Sequence, residues 1–244
     1  MNKIVVLDEG FLKHRAIFSY RNRPELPATY TFMRMCISTL KKVGTTLEDR
    51  VIMACDYGRS WRKIEDTNYK AQRKEFRETY EDKDWWKEIY KTFDDFYSKL
   101  EPNINWNFCR LFGLEADDWA SMISRFYKDK EIILVSSDRD WEMLVSIPNV
   151  KIYSPLTKKF KIIKNPEKVL LEKIQGDISD NLLEKPKTEI EFERRKRIVN
   201  LLELPPHIEQ PMKDILSNLP IKNLYLNKLP YHSIREELSK LYNL

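Results

Sequence analysis

Nine carboxylates of this 244-residue chain lie where they could share one pair of cations. Five sit in two tight clusters: Glu115, Asp117 and Asp118 in Glu115-Ala116-Asp117-Asp118, and Asp138 and Asp140 in Ser136-Ser137-Asp138-Arg139-Asp140. Asp8 and Asp56 each close an apolar run, and Asp177 and Asp180 lie in Gly176-Asp177-Ile178-Ser179-Asp180-Asn181. Like charges gathered that closely repel, and protonation would neutralise part of the set unless cations hold it ionised. Hard divalent ions take oxygen ligands and bridge to phosphates. Two such ions about 4 Å apart can activate an attacking water and stabilise the leaving oxygen of an in-line displacement, so the chemistry indicated is phosphodiester hydrolysis.

The elements that must position these acids follow from the apolar runs. Lys3 to Leu7, Arg50 to Cys55, Glu131 to Ser136 and Val150 to Tyr153 are rich in Val and Ile and too short for buried helices, with Asn105 to Arg110 a weaker fifth strand. Between them, Tyr30 to Lys42, Lys83 to Leu100 and Glu115 to Lys128 carry apolar residues at helical spacing. Strand alternating with helix predicts an α/β fold, a mostly parallel sheet flanked by helices. Such sheets place ligands beyond the carboxyl ends of their strands. Asp8, Asp56 and Asp138 all occupy that end. Asp and Ser are common in turns and caps, but that habit does not predict the same place three times. Glu115-Ala116-Asp117-Asp118 taken alone is simply an acidic helix N-terminus.

After Tyr153 the pattern changes, and residues 166 to 244 are short helices broken by Pro186, Pro205, Pro206, Pro211, Pro220 and Pro230. The expected division is residues 1–163 as a core and 164–244 as a helical C-terminal part.

Composition excludes several classes. No apolar run approaches the ~18 to 20 residues of a membrane span, and Met1 to Asp8 is a strand and not a signal peptide, which predicts a cytoplasmic protein. The three cysteines and three histidines are scattered, with no zinc-binding spacing, and an odd cysteine count fits free thiols in a reducing compartment. The net charge is only +5, from 43 Lys+Arg against 38 Asp+Glu. With nine acids committed to a pocket the remaining surface is far more basic, which suits a nucleic-acid substrate; a well-mixed soluble surface is the alternative on charge alone.

The ordered series Asp8, then Asp56 with Tyr69-Lys70-Ala71-Gln72-Arg73, then Glu115-Ala116-Asp117-Asp118, then Ser137-Asp138-Arg139-Asp140, then Gly176-Asp177-Ile178-Ser179-Asp180-Asn181 resembles the 5′ nuclease superfamily. That group holds the flap endonucleases, bacterial polymerase I 5′-3′ exonuclease domains and phage RNase H-type enzymes. The match runs from Met1 to Asn181, about three-quarters of the chain, and Ser136 to Phe160 looks most like the phage RNase H branch. The resemblance implies that Asp8, Asp56 and Asp117 hold one Mg²⁺, with Glu115 close by, and that Asp138 and Asp140 hold a second, with Asp177 and Asp180 acting partly through water. Asp118 would support this set, and Mn²⁺ would substitute.

The resemblance also makes Tyr69-Lys70 the start of a helical arch, over about residues 58–100, through which single-stranded 5′ ends pass. Lys70 and Arg73 would act on the scissile phosphate. Residues 58 to 77 hold seven basic and three acidic side chains interleaved with aromatics, which suits phosphate contact and base stacking. Arg15, Arg59, Arg62 and Tyr69 join Lys70 and Arg73 as expected DNA contacts. The stripe Trp86, Tyr90, Phe93 and Tyr97 is a packing face before it is a DNA face.

Two departures from the family pattern stand out. The family's glycine-rich helix-hairpin-helix has no counterpart, because Gly176 is the last glycine. The charged segment that follows carries Arg194-Arg195-Lys196-Arg197, which either grips duplex phosphate in its place or forms a solvated face. Glu9 stands where many relatives have glycine. The activity implied is a 5′-3′ exonuclease and flap endonuclease acting on 5′-flap, nicked or branched DNA, extending to RNA primers in RNA-DNA hybrids, by a monomer working with replication proteins. A PIN-type ribonuclease or a non-catalytic branched-DNA binding protein are the competing readings.

Overall fold

Strand β1 (Lys3–Asp8) is the centre of the architecture because its side chains serve two cores at once. Val5 and Leu7 face one side and Ile4 and Val6 the other, all fully buried. In this computed structural model, which describes residues 3–73 and 82–244, β1 pairs in parallel with β2 (Arg50–Ala54) and β4 (Glu131–Val135). Strand β3 (Asn107–Cys109) lies outside β2, β5 (Val150–Ser154) outside β4, and the short β6 (Lys159–Phe160) closes that edge antiparallel. The sheet order is β3-β2-β1-β4-β5-β6. Chain order reverses between β1 and β4, the place where open sheets of this kind bind ligands. Register aligns the strand ends there: Asp8 opposes Ala54 and Leu7 opposes Val135, so Asp56 and Ser136 emerge beside Asp8.

Helices α1 (Glu9–Asn22), α2 (Ala28–Lys42) and α4 (Lys83–Leu100) cover the first face, packing Leu12, Phe32, Met33 and Phe93. A single-turn helix, α3 (Arg62–Glu65), precedes α4 in the chain. Helix α5 (Ala116–Phe126) covers the second face with Trp119 and Met122, joined by Trp141 from a 3-10 turn over Asp140–Ser146. Four further helices follow: α6 (Pro166–Gln175), α7 (Glu189–Val199), α8 (Pro206–Ser217) and α9 (His232–Tyr242). Met212 of α8 enters the second core and Leu238 of α9 the first. The helices after residue 165 therefore complete both cores.

Helix α1 has no counterpart among the sequence-based expectations. Only Glu9, Leu12, Ala16 and Ile17 are buried along it, so no continuous apolar stripe announces it. The α4 stripe is packing: Phe93 and Tyr97 meet Phe32 edge-on, while Trp86 and Tyr90 rest on Phe18 and His14. The expected arch falls partly on 74–81, outside the described residues; Lys74 and Arg77 lie there. Among the described residues no helix is long and apolar enough to cross a membrane.

Candidate metal centre

Asp8 ends β1 and caps α1, and both of its oxygens are engaged. Oδ1 accepts the Phe11 N–H at 3.0 Å and Oδ2 accepts the Ser136 hydroxyl at 2.6 Å. Ser136 Oγ in turn accepts the Asp138 N–H at 3.0 Å, and Asp138 Oδ1 accepts the Asp140 N–H at 2.9 Å. Asp56 crosses from the end of β2 to cap α5, its Oδ1 accepting the Ala116 N–H at 2.7 Å. The carboxylates of Asp8 and Asp56 flank Gly10, where a Cβ would lie 3.8 and 3.7 Å from them. Asp117 accepts the Trp141 indole N–H at 2.7 Å, which turns the first helical turn of α5 toward the Asp138–Asp140 loop. One end of the sheet thus gathers Asp8, Asp56, Asp117, Asp138 and Asp140.

Their electrostatics are those of an anion cluster short of positive charge. Burial raises Asp8 to about 8 against the pull of its two hydrogen bonds, and Asp117 and Asp56 add repulsion. Asp56 is open at the surface, yet it stands among enough protein to lose hydration and is brought to about 6, with Asp117 and Glu115 pushing the same way. Asp140 is raised to about 7 chiefly by burial, against the pull of Lys173, with Asp138 and Asp117 adding repulsion. Asp138 is raised by burial and by Asp117.

Lys173 is a site residue that the motif reading missed. Buried at the end of α6, its ammonium pairs with Asp140, with Asp180 at 2.8 Å and with Asp177 at 3.3 Å. Burial would lower its pKa, yet Asp140 and Asp180 hold it above the ordinary lysine range. Its position four residues before Asp177 on a helix was the available signal. Asp177 caps the turn after α6, accepting the Ser179 N–H at 2.7 Å. Burial pushes its carboxyl up, but the Ser179 donors and Lys173 outweigh this and leave it low. Asp177 and Asp180 are therefore bound to Asp140 through a protein cation.

Several expected roles are corrected by burial. Arg62, expected to touch DNA, is 1 % exposed; it pairs with Asp118 at 2.7 Å and Glu115 at 3.0 Å and donates to the Ile198 carbonyl at 2.7 Å. Asp118, expected to support the metals, is fully buried; it accepts the Trp61 indole and the Glu115 N–H and shares Arg62 with Glu115, so it touches the acids only through these partners. Tyr69 is buried against Ile174, Leu182 and Ile198, with its hydroxyl on Glu115 at 3.2 Å, so its ring is not available for stacking. Glu115 is held by Lys70 at 3.1 Å as well as by Arg62. Burial alone would raise it, but Lys70 and then Arg62 bring it down to about 2. Glu9, buried beneath α4, pairs with Lys13 at 2.8 Å and accepts the Tyr97 hydroxyl at 2.5 Å.

The Lys70 ammonium lies 3.1 Å from Glu115 and 3.9 Å from Asp180, and the Lys70 backbone is unusual. Its φ of 52° is left-handed, rare without glycine, and its N–H donates to the Asp180 carbonyl at 3.1 Å. Arg73 is exposed, donating to the Ser179 carbonyl at 3.3 Å. Arg59 is also exposed. Arg15 lies apart, on a groove of about 920 Å³ shared with Arg23, Arg34, Lys42 and Lys158. The α7 cations are partly tied down: Arg194 to Asp66 at 3.6 Å, Arg197 to Glu65 at 3.4 Å and Lys196 to Glu193 at 3.6 Å, while Arg195 donates to the Ile174 and Glu184 carbonyls. Arg195 is thereby a structural strut.

Among the described residues, no three of the Asp, Glu, His or Cys side chains converge on a finished ion position. The donor set is nonetheless all carboxylate oxygen, the chemistry of hard divalent ions, and its upward-shifted acids are those that a cation would ionise. The residues fit such ions.

Comparison with known proteins agrees with this geometry. The chain is 26% identical over 151 residues to Ribonuclease H of Enterobacteria phage T4, covering 59% of this chain and 48% of that protein, so it spans about half the length of this curated relative. The 5′-exonuclease of phage T5, solved with divalent zinc ions bound, superposes with a TM-score of 0.61 at 16% identity, over 98% of this chain and 97% of that one. A complex of the bacteriophage T5 flap endonuclease with DNA and metal ions gives a TM-score of 0.63 at 19% identity, over 98% and 84%. These two likenesses establish the fold. The sequence model of the 5′-3′ exonuclease N-terminal resolvase-like domain matches residues 3–175, and the chain belongs to that family.

Proposed function

We propose that this chain is a divalent-metal-dependent 5′ nuclease that hydrolyses phosphodiester bonds at 5′ ends and flaps of DNA, including RNA primers paired to DNA. The observation that carries the reading is the meeting of strand-end acids: Asp8 and Asp56 at Gly10, and Asp8 with Asp138 through Ser136. A structural protein gains nothing from carboxylates held at such cost to their ionisation. The two phage T5 structures bind metal ions, and one also binds DNA, which supports the same ligands here.

Asp8, Asp56 and Asp117 would hold one ion and Asp138 and Asp140 a second, with Mg²⁺ the expected species and Mn²⁺ able to replace it. The ions, when bound, supply a water of lowered pKa and charge stabilisation for the leaving oxygen. The chain's own residues do the rest. Ser136 keeps the Asp8 carboxylate facing the Asp138 loop, and Trp141 fixes Asp117. Lys173 holds Asp177 and Asp180 near Asp140. Lys70, buried and held charged chiefly by Glu115, is placed to stabilise negative charge that builds on a phosphate over the acids. The three free cysteines, all buried, suit a reducing compartment such as the cytoplasm.

A labelled 5′-flap duplex with and without Mg²⁺ tests the proposal. Cleavage that requires the ion and is abolished in Asp138→Asn, with DNA binding kept, is the expected result. Near-normal turnover by that variant would overturn the assignment. Cleavage of single-stranded RNA but not of flapped DNA would favour a ribonuclease.

A further inference from the structure

Beside the acids stands a pair of aromatic rings that neither core absorbs. Tyr57 follows Asp56 directly, and Phe112 lies three residues before Glu115. Tyr57 is 52 % and Phe112 71 % exposed, and the rings meet edge to face with centroids 6.1 Å apart. Side chains more exposed than these, such as Ile162, Ile190 and Ile221, are aliphatic and offer no ring. Here the exposure is built in. The Tyr57 N–H donates to the Leu114 carbonyl at 3.0 Å, the Gly113 N–H to the Tyr57 carbonyl at 2.8 Å, and the Trp61 N–H to the Gly113 carbonyl at 2.9 Å. Gly58 has φ 78°, and a Cβ there would lie 2.6 Å from the Phe112 ring, so only glycine lets that ring lie across the turn.

The same two segments also carry site residues. Asp56 caps α5 through Ala116 while its neighbour Tyr57 laces to Leu114, so the rings are fixed relative to the acids by the shortest possible lever. Exposed Arg59 belongs to the same turn. Rigid aromatics with a nearby cation, beside a place where phosphate is held, match the way proteins stack nucleobases without reading their sequence. An edge-to-face pair leaves ring surface free for a third, planar partner.

We propose that Tyr57 and Phe112 form a stacking platform for a base of the strand whose phosphate lies over Asp8 and Asp56, setting the position at which that strand is cut. The proposal rests on the nuclease reading and adds to it a determinant of cleavage position outside the metal-holding residues.

The test uses full-length protein and flapped DNA duplexes, each carrying one abasic residue at successive positions around the junction. Binding is measured by anisotropy with Ca²⁺ in place of Mg²⁺, and the cleavage position with Mg²⁺. The wild type is expected to lose about tenfold in affinity at one or two adjacent positions, the order that one stacked base supplies. Phe112→Leu, and separately Tyr57→Leu, should lose a similar factor on intact DNA, show no further loss at those abasic positions, and scatter the cut site over neighbouring bonds. Both variants keep an apolar side chain at an exposed place, and unchanged melting temperatures verify the fold. Equal affinities for wild type and variants, or abasic losses that simply multiply with the variant losses, would overturn the platform. If the wild type binds and shows the coupled loss but does not cleave, the nuclease reading fails and the platform stands; if it cleaves without the coupling, the platform alone fails.

Discussion

Asp8 and Asp138 are joined through one hydroxyl: Ser136 Oγ donates to Asp8 Oδ2 at 2.6 Å while accepting the Asp138 N–H at 3.0 Å. Fully buried, this serine is the link between the ends of β1 and β4 at the switch point of the sheet. It also donates the first of the two hydrogen bonds that oppose the upward shift of Asp8.

A pH dependence follows for the metal-free protein. Asp8, Asp140 and Asp56 are raised from 3.8 to about 8, 7 and 6. The folded state therefore binds more protons than the unfolded chain between about pH 4 and 8, and stability falls as pH rises through that window. Glu115, lowered from 4.5 to about 2, opposes this slope only at the acid end of the window and is ionised in both states above about pH 5.5. The melting temperature without divalent ions should be lower at pH 8 than at pH 5 by at least about 3 °C, the shift that roughly 1 kcal/mol makes in a chain of this size. Adding Mg²⁺ should restore more stability at pH 8 than at pH 5. Calorimetry with and without a chelator checks both, and a melting temperature that rises with pH would contradict the crowded-anion account.

Arg62 separates a structural cation from a DNA contact. It is buried, with Asp118 at 2.7 Å, Glu115 at 3.0 Å and the Ile198 carbonyl at 2.7 Å. Removing one partner of a buried pair leaves an uncompensated charge and costs about 3–5 kcal/mol. Arg62→Met should lower the melting temperature by about 10 °C, while the salt dependence of DNA binding by the remaining folded protein stays as in the wild type. A flattened salt slope with normal stability would return Arg62 to the DNA surface.

How far each residue was legible in the sequence follows from the range of its interactions. Asp8, Asp56 and Asp138 announce themselves because each ends an apolar run, and parallel register carries that local fact to a shared place. Arg62 and Tyr69 misled because a basic, aromatic segment has the same composition whether it faces DNA or is buried. Their partners Glu115 and Ile198 are 46 to 136 residues away, and no spacing rule reaches that far. Helix α1 escaped because its buried face is interrupted by Glu9, whose charge is answered by Lys13 one turn along and by Tyr97 from α4.

The cations of α7 make a quantitative prediction. Among the described residues, Arg194 and Arg197 are exposed and held by pairs of 3.6 and 3.4 Å to Asp66 and Glu65. Such surface pairs contribute about 0–1 kcal/mol, so exchanging them for phosphate costs little. Replacing both arginines by Gln should weaken duplex binding and reduce the log–log salt slope by about 0.9 per lost contact. An unchanged slope would make this face merely solvated.

Lys70 should act on the transition state more than on affinity. Its left-handed backbone, at φ 52°, is held by the Asp180 carbonyl at 3.1 Å, and its ammonium lies 3.1 Å from Glu115 and 3.9 Å from Asp180. Burial works against its charge, yet Glu115, Asp117 and Asp180 keep its pKa above the ordinary lysine value, so it stays positive throughout the working pH range. On the proposed function, a fixed cation in so poorly hydrated a place would offset the charge that builds on the scissile phosphate, and a contact of this kind contributes about 3–4 kcal/mol. Lys70→Ala should slow single-turnover cleavage by about 100-fold or more while weakening DNA binding far less. The loss should persist at saturating enzyme and saturating Mg²⁺, which separates it from weakened metal or substrate binding. If the variant bound poorly yet cleaved at the normal rate once saturated, Lys70 would be a phosphate anchor, and the charge stabilisation assigned to it would have to come from elsewhere in the site.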